Sequence, residues 1–318
     1  FSANLHEHES RNGSKVFYRA ERSLKLGLSN GLRAIRSHVD SFGLFADESW
    51  EVLLELRSQW SKLIELQLVA LVPLHFWSTD KGRKFASKVA NAGGLLGGVL
   101  VPPFNRKQVR CSLLRMLEVA NNLGCGIDLH IDESHEHPAE GLQELVQVLD
   151  EIESNVPITC SHASSMGLLA SHDLKRLADR LANHQVNVVA LPLTNAWLLG
   201  RKLKCTPIQR PLAPISELQQ AGVTVAVGGD NVQDPWFPGG NFDSLALMAS
   251  SMPLAQLAPW DRLGLAPFTT SAASLMNLEW DGTLCKGSPA DLVVISANSW
   301  PEALMASSHR QILVNGLW

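Results

Sequence analysis

Seven short apolar runs recur along the chain, and their ends lie roughly thirty residues apart, the length of one βα unit. Helix-like stretches separate the runs, which predicts alternating strands and helices. One stretch predicts a helix that begins near Pro138, with a single buried stripe formed by Leu142, Leu145, Val146, Leu149 and Ile152. The apolar runs end at Asp40, Pro73, Pro103, Glu133, Ala163, Pro192 and Asp230.

Seven βα units in series predict an α/β fold, a (β/α)8 TIM-like barrel with one strand unaccounted for. An open doubly wound sheet is the alternative. Polar residues recur at the C-terminal ends of several runs, where barrel enzymes keep their chemistry, and this favours the barrel. No GxGxxG follows an early strand, so dinucleotide binding lacks its usual mark. After Asp230 the pattern changes to short strands with Gly and Pro turns, which predicts a small β appendage.

The composition of the chain argues against several classes of binding partner. With 45% apolar and 18% charged residues among 318, it suits a globular enzyme with a large core. The net charge is −4 without a block of like charges, which argues against nucleic acid or anionic lipid as a partner. No apolar run is long enough to span a membrane. Five scattered cysteines without a CxxC favour a cytoplasmic location.

The stretch IDLHIDE at residues 127–133 carries the clearest chemistry. Strand alternation places Asp128, His130 and Asp132 on one face, with Glu133 where the strand gives way to a loop. A histidine at the end of a strand can itself be a metal ligand, and the glutamate three residues later, Glu133, can then act beside it as a general acid or base. Alone, His130 would more simply be a hydrogen-bonded structural residue.

Two later runs also end in residues that can bind a metal. His162 is the last residue but one of the fifth run, and Asp230 ends the seventh. In a barrel these side chains and those of His130 and Glu133 converge on one mouth, where two nitrogens and an oxygen suit a divalent ion. The structural alternative for Asp230 is a cap on the following loop or helix.

Several of these stretches together resemble the amidohydrolase superfamily, and within it the bacterial cytosine deaminase-like group. The resemblance covers nearly the whole chain. The matching stretches are RSHVD (36–40), HIDE (130–133), SHAS (161–164), LPLTNAWLLGR (191–201), GGDNVQDPWFPGG (228–240) and KGSPADLVVI (286–295).

The resemblance implies a barrel domain at residues 1–280 that lacks its first strand, and the C-terminal part of a β-sandwich at 281–318. It implies one divalent ion, zinc or iron, held by His130 and Asp230. Asp230 would also take a proton from the bound water, Glu133 would shuttle protons, and His162 would polarise the attacking hydroxide. Trp236 would lie in the loop that lines the binding pocket along one edge of the substrate. Homo-oligomeric assembly is suggested in the same way.

Three departures from the family pattern affect the metal and the substrate. His6-Glu7-His8 is not the family's HxH, because no apolar strand precedes it, so two of four expected ligands are missing and the ion is expected to be lost easily. Cytosine deaminases contact their substrate through a glutamine near the end of the third barrel strand. The corresponding region here, around Pro73 and Leu74, has no glutamine. Asn231 stands where a second aspartate is expected, and it can donate as well as accept. We expect Pro73, Leu74, Asn231 and Trp236 to contact the substrate.

These observations predict a metal-dependent hydrolytic deaminase of a cytosine-like or related nitrogen heterocycle, which releases ammonia. A cyclic-amide hydrolase of the dihydroorotase or hydantoinase kind is one alternative. Such enzymes usually carry two metal ions bridged by a lysine on the fourth strand of the complete barrel. The corresponding stretch here, GGVLVPP, contains no lysine. A catalytically inactive fragment of such an enzyme is the other alternative.

Overall fold

The computed structural model describes residues 11–305 and 309–317, so His6-Glu7-His8 lies outside the described residues. The strands are β1 (Ala34–Asp40), β2 (Glu65–Leu71), β3 (Leu95–Leu100), β4 (Ile127–Ile131), β5 (Ile158–His162), β6 (Asn187–Ala190), β7 (Val225–Val227), β8 (Leu292–Ile295) and β9 (Arg310–Leu313). The helices are α1 (Gly13–Ser29), α2 (Ala46–Trp60), α3 (Asp80–Asn91), α4 (Arg106–Leu123), α5 (Glu140–Leu149), α6 (Ser171–Asn183), α7 (Pro192–Leu198), α8 (Ile215–Gln220), α9 (Ser244–Ala255), α10 (Arg262–Leu265), α11 (Thr270–Leu275) and α12 (Trp300–Ala303). Within the described ranges, we find no helix with the length and apolar character needed to cross a bilayer.

Strands β1 to β7 form one sheet in sequence order. The pairing is parallel, and β4 and β5 match from Ile127 opposite Ile158 to Ile131 opposite His162. Every residue of β5 is buried, as expected for a parallel strand covered on both faces. Seven parallel strands joined by helices confirm the predicted α/β fold, with the topology of a (β/α)8 barrel that lacks one strand.

Helix α5 confirms the predicted apolar stripe and corrects its limits. Leu142, Leu145, Val146 and Leu149 are buried on one side of the helix. The helix begins at Glu140, two residues after Pro138, so the prediction that Pro138 opens the first turn was wrong. The physical reason is Ala139, whose φ of 53° is left-handed and cannot continue a right-handed helix. Ile152 lies beyond the C-terminal end of the helix.

The chain divides into two compact units, and residues 37–42 and 67–226 form one of them. Trp77 is fully buried in this unit, and its indole N–H donates to the Gly97 carbonyl at 2.8 Å. Its ring stacks on Phe85, with 6.2 Å between ring centroids. At Gly97 a Cβ would lie 2.7 Å from the Ala70 carbonyl oxygen, so the close approach of β2 and β3 requires glycine there.

The other unit comprises the described parts of residues 1–36, 43–66 and 227–318. Strands β8 and β9 pair antiparallel in it, which confirms the predicted short strands near the C-terminus. Arg310 binds Asp243 through two hydrogen bonds, at 2.6 and 2.8 Å, in the fork geometry that guanidinium and carboxylate prefer. The proposed domain boundary at residue 280 stays a prediction.

Candidate active site

Three histidine rings meet inside the unit formed by residues 37–42 and 67–226, and we call His38, His130 and His162 the histidine cluster. The ring of His130 lies 5.0 Å from that of His162 and 4.5 Å from that of His38, measured between centroids. His38 lies on β1, which is not a neighbour of β4 in the sheet. The sheet must therefore curve to bring these rings together, as a barrel wall does.

Asp128 lies next to the histidine cluster and is only 1% exposed. Its Oδ1 accepts a hydrogen bond from Ser161 Oγ at 2.8 Å and lies 3.6 Å from His38 Nε2. Strand alternation correctly indicated that Asp128 accompanies His130. Sequence reasoning assigned no role to His38, although it stands in the middle of the matched RSHVD stretch.

The two most buried imidazoles of the cluster are held neutral. Burial, followed by the neighbouring His38 and His162, lowers the pKa of His130 well below its ordinary value of 6.5. Burial, followed by His38, lowers the pKa of His162 to about 3. Both rings are therefore uncharged at neutral pH, which leaves each with one N–H donor and one lone pair.

One nitrogen on each ring of the cluster is buried without a hydrogen-bond partner in the described part of the chain. These atoms are His38 Nδ1, His130 Nδ1 and His162 Nε2. Buried polar atoms in proteins are almost always satisfied by protein, water or a ligand. The cluster is therefore arranged to receive a group that completes its hydrogen bonds or coordination.

Glu133 lies immediately beside the histidine cluster. Its Oε1 is 3.7 Å from His162 Nδ1, which is too long for a hydrogen bond but close enough for the charge to be felt. The Glu133 side chain is 25% exposed, whereas His162 is 2% exposed. A partly solvated carboxylate at the edge of a buried cluster can exchange protons with both a bound molecule and water.

Asp132 has a different role from the one its spacing predicted. It lies one residue beyond β4 with a left-handed φ of 54°, so strand alternation no longer applies to it. Its carboxylate accepts the backbone N–H groups of Gly141 and Leu142, both at 2.8 Å, in the first turn of α5. The expectation that Asp132 belongs with His130 on one strand face was therefore wrong. Burial raises the pKa of Asp132 to about 6, while the two N–H bonds oppose the rise.

The residues that follow β7 belong to the second unit and are described by themselves. Asp230 has a left-handed φ of 58°, and the next helix begins only at Ser244. Asp230 therefore does not cap the following helix, and the alternative that it caps the following loop stays a prediction. We call residues 230–240 the β7 loop.

Asp234 organises the β7 loop, and sequence reasoning missed it. Its Oδ1 accepts the backbone N–H groups of Trp236 and Phe237, both at 2.9 Å, and its Oδ2 accepts the Asn231 side-chain amide at 2.6 Å. Asp followed by Pro is a known turn-forming pair, and this was the available indication. The bond to Asp234 thus fixes the side-chain amide of Asn231 within the loop.

The two residues at the expected glutamine position lie in different surroundings. Pro73 is exposed and pairs with Val99 just beyond the end of β2. Leu74 is buried, and a Cβ on Gly98 would lie 3.0 Å from its Cδ1. Their contact with a substrate stays a prediction, as do the assigned roles of Glu133, His162, Asp230, Asn231 and Trp236.

The described residues fit part of a metal shell. His130 offers a neutral ring with an unpartnered buried nitrogen, the form in which histidine binds a metal. Among residues 11–305 and 309–317, no group of three or more His, Cys, Asp or Glu side chains is arranged to hold an ion.

The fold places this protein among the α/β enzymes of the barrel type, a class that keeps its chemistry at the carboxyl ends of the strands. The chain belongs to the amidohydrolase family, whose model matches residues 87–314. It is therefore a hydrolase that acts on carbon–nitrogen bonds.

Individual relatives agree with this assignment. A pterin deaminase of Rhizobium rhizogenes is 32% identical over 301 residues, which cover 94% of this chain and 68% of that protein. An N-isopropylammelide isopropyl amidohydrolase of a Pseudomonas species is 25% identical over 90% of this chain and 68% of the relative. The structure of 5-methylcytosine deaminase from Klebsiella pneumoniae with phosphonocytosine shares the fold, with a TM-score of 0.84 and 24% identity over 98% of this chain and 77% of that one.

Proposed function

We propose that this protein hydrolyses the exocyclic carbon–nitrogen bond of an aminopyrimidine-type ring, single or fused as in a pterin, and releases ammonia. The observation that carries the proposal is the 32% identity to a pterin deaminase over 94% of the chain. The position of Glu133 beside the buried histidine cluster supports it, because deamination needs a group that moves protons at the reacting bond.

In this proposal Glu133 carries protons between the attacking water, a ring nitrogen and the departing amine. His162 acts through hydrogen bonds and does not act as a cation, since its pKa is lowered to about 3. His130 serves as a neutral nitrogen ligand, and Asp230 as a carboxylate ligand that also accepts a proton. A divalent ion, when bound, supplies the Lewis acidity that lowers the pKa of a water molecule.

The substrate's edge is recognised differently from that of cytosine in the resembling group. Pro73 has no N–H and Leu74 is apolar, so neither offers the paired donor and acceptor of a glutamine. We assign these two residues to the shape of the pocket and Asn231 to a polar contact with the ring. Trp236 would cover the substrate's edge with an aromatic wall. A larger ring than cytosine suits this less polar lining.

The test is the release of ammonia from pterin, cytosine and 5-methylcytosine and of isopropylamine from N-isopropylammelide, with hydantoin added as a cyclic amide. The chain is assayed after loading with zinc or ferrous iron, and its metal content per chain is measured alongside. We expect ammonia from pterin above the level of the matched Glu133→Gln protein. Hydantoin opening without ammonia would point instead to a cyclic-amide hydrolase. A metal-loaded chain that attacks none of these rings would contradict the proposal.

A further inference from the structure

Asn195 on α7 makes a single side-chain contact that bears on the chemistry of His162. Its Nδ2 lies 3.0 Å from His162 Nδ1, and both residues are buried. The backbone of Asn195 is fixed in the helix, because its N–H donates to the Leu191 carbonyl and its carbonyl accepts from Leu199. The Asn195 side chain therefore contacts the imidazole from a backbone position that the helix holds fixed.

This contact favours one tautomer of a neutral His162 ring. In the structure the Nδ2 side of the Asn195 amide faces Nδ1, and an NH2 group can only donate, so in this orientation Nδ1 accepts with its lone pair. A neutral imidazole has one N–H, and that N–H is then on Nε2. Nε2 is buried and has no partner within the described ranges, so the ring presents an unused donor to whatever occupies the cluster.

Asn195 and Glu133 compete for the same ring nitrogen. Glu133 Oε1 lies 3.7 Å from His162 Nδ1, and a carboxylate can only accept. If Nδ1 carried the proton, it would be drawn to Glu133, and Nε2 would become an acceptor. The closer amide of Asn195 prevents this pairing.

We propose that Asn195 is a positioning residue that holds His162 as the Nε2–H tautomer, so that the ring donates a hydrogen bond to the oxygen of the attacking water or of the substrate. The identity of that oxygen rests on the proposed function. The tautomer itself does not, because it follows from the contact between Asn195 and His162.

The tautomer can be measured by ¹⁵N–¹H correlation of the histidine side chains, in which protonated and bare ring nitrogens differ clearly. His162 is identified among the 11 histidines by the signal that disappears in a His162→Gln protein. Asn195→Asp replaces the donor with an acceptor of the same shape. Asn195→Leu removes the donor at similar volume without burying a charge, and keeps the test usable if Asn195→Asp fails to fold. Thr194→Val is the matched control, since Thr194 is equally buried on the same helix.

We expect Nε2–H in the parent and in Thr194→Val, Nδ1–H in Asn195→Asp, and a mixture of both in Asn195→Leu. Ammonia release by Asn195→Asp should fall in kcat by about 10²–10⁴-fold with little change in KM, as a wrong tautomer does in other hydrolases. Nδ1–H in the parent, or Nε2–H in Asn195→Asp, would overturn the proposal. An inverted tautomer with unchanged kcat would overturn its catalytic part. Absence of ammonia from the parent would contradict the proposed function while the tautomer result stands.

Discussion

The histidine cluster and the β7 loop are held in place by different kinds of interaction. His130 and His162 stand on β4 and β5, whose residues are almost all buried and which pair with a strand on each side, so the geometry of these two rings comes from the sheet. The β7 loop lies outside the strands, and its backbone is held by the Asp234 carboxylate and by hydrogen bonds within the loop, such as that from the Gln233 N–H to the Gly239 carbonyl. The contrast indicates that a change in the cluster should alter chemistry with the fold intact, whereas a change in the loop should alter binding.

The sharpest test of this contrast is Glu133→Gln. The amide keeps the shape of the side chain and loses its ability to take a proton, so kcat for ammonia release should fall by about 10²–10⁴-fold. Unfolding in urea should change little, because Glu133 is partly exposed. Glu136→Gln is the matched control, since Glu136 is 70% exposed in the same loop. Equal losses in both variants would show that Glu133 has no special role.

Asp132→Ala should produce the largest loss of stability on the cluster side. It removes the acceptor of two buried N–H groups, and the free energy of unfolding should fall by about 3 kcal/mol. Urea unfolding with a fitted midpoint and slope measures it. Asp132→Asn keeps one acceptor oxygen and should lose clearly less. If the two variants were equally stable, the cap on α5 would contribute nothing measurable.

Asp234→Ala tests the loop side of the comparison. It removes three hydrogen bonds that are partly exposed, at a cost of about 2 kcal/mol at most. The main effect should be a raised KM and faster proteolysis within residues 230–240, with kcat largely kept. Gln233→Ala removes one exposed bond in the same loop and should leave both quantities near the parent value. A fall in kcat with an unchanged KM would contradict the proposal that the β7 loop acts in binding and the histidine cluster in catalysis.

The smallest effect concerns the anchor that follows the β7 loop. Burial would raise the pKa of Asp243, but the hydrogen bonds from Arg310 and from the start of α9 outweigh it, and the net pKa is lowered from 3.8. A depressed pKa adds stability above the unfolded-state value, and this stability is lost as the pH falls through the folded-state value. Asp243→Asn keeps a capping oxygen, so it isolates the charge.

We therefore expect Asp243→Asn to be less stable than the parent by about 1 kcal/mol at pH 7, a figure reduced for the partial exposure of the pair. The gap should narrow below about pH 4, as the pH falls towards the lowered folded-state pKa. Thermal or urea unfolding at pH 7 and pH 3 measures this narrowing. A gap at pH 3 as large as the gap at pH 7 would mean that the lost charge is not its cause.

Much of the fold followed from apolar runs, whereas the site followed only in part. The ends of β1, β4 and β5 were predictable because buried parallel strands need continuous apolar residues. The contact between His38 and His130 was not, because it depends on the curvature that brings non-neighbouring strands together. The role of Asp132 depends on a left-handed backbone that no spacing rule indicates. Asn195 escaped notice because its role is defined only by the ring it faces.

The left-handed residues at the strand ends also set how this protein can be altered. Asp132, His162 and Asp230 have φ values of 54°, 75° and 58° at the ends of three strands. Valine, isoleucine and threonine strongly disfavour such a backbone, while asparagine and glycine accept it. A laboratory search for new substrates will therefore find these three positions closed to branched side chains. Diversity would have to enter at neighbouring positions such as Pro73 and Trp236, where the φ angles are not left-handed.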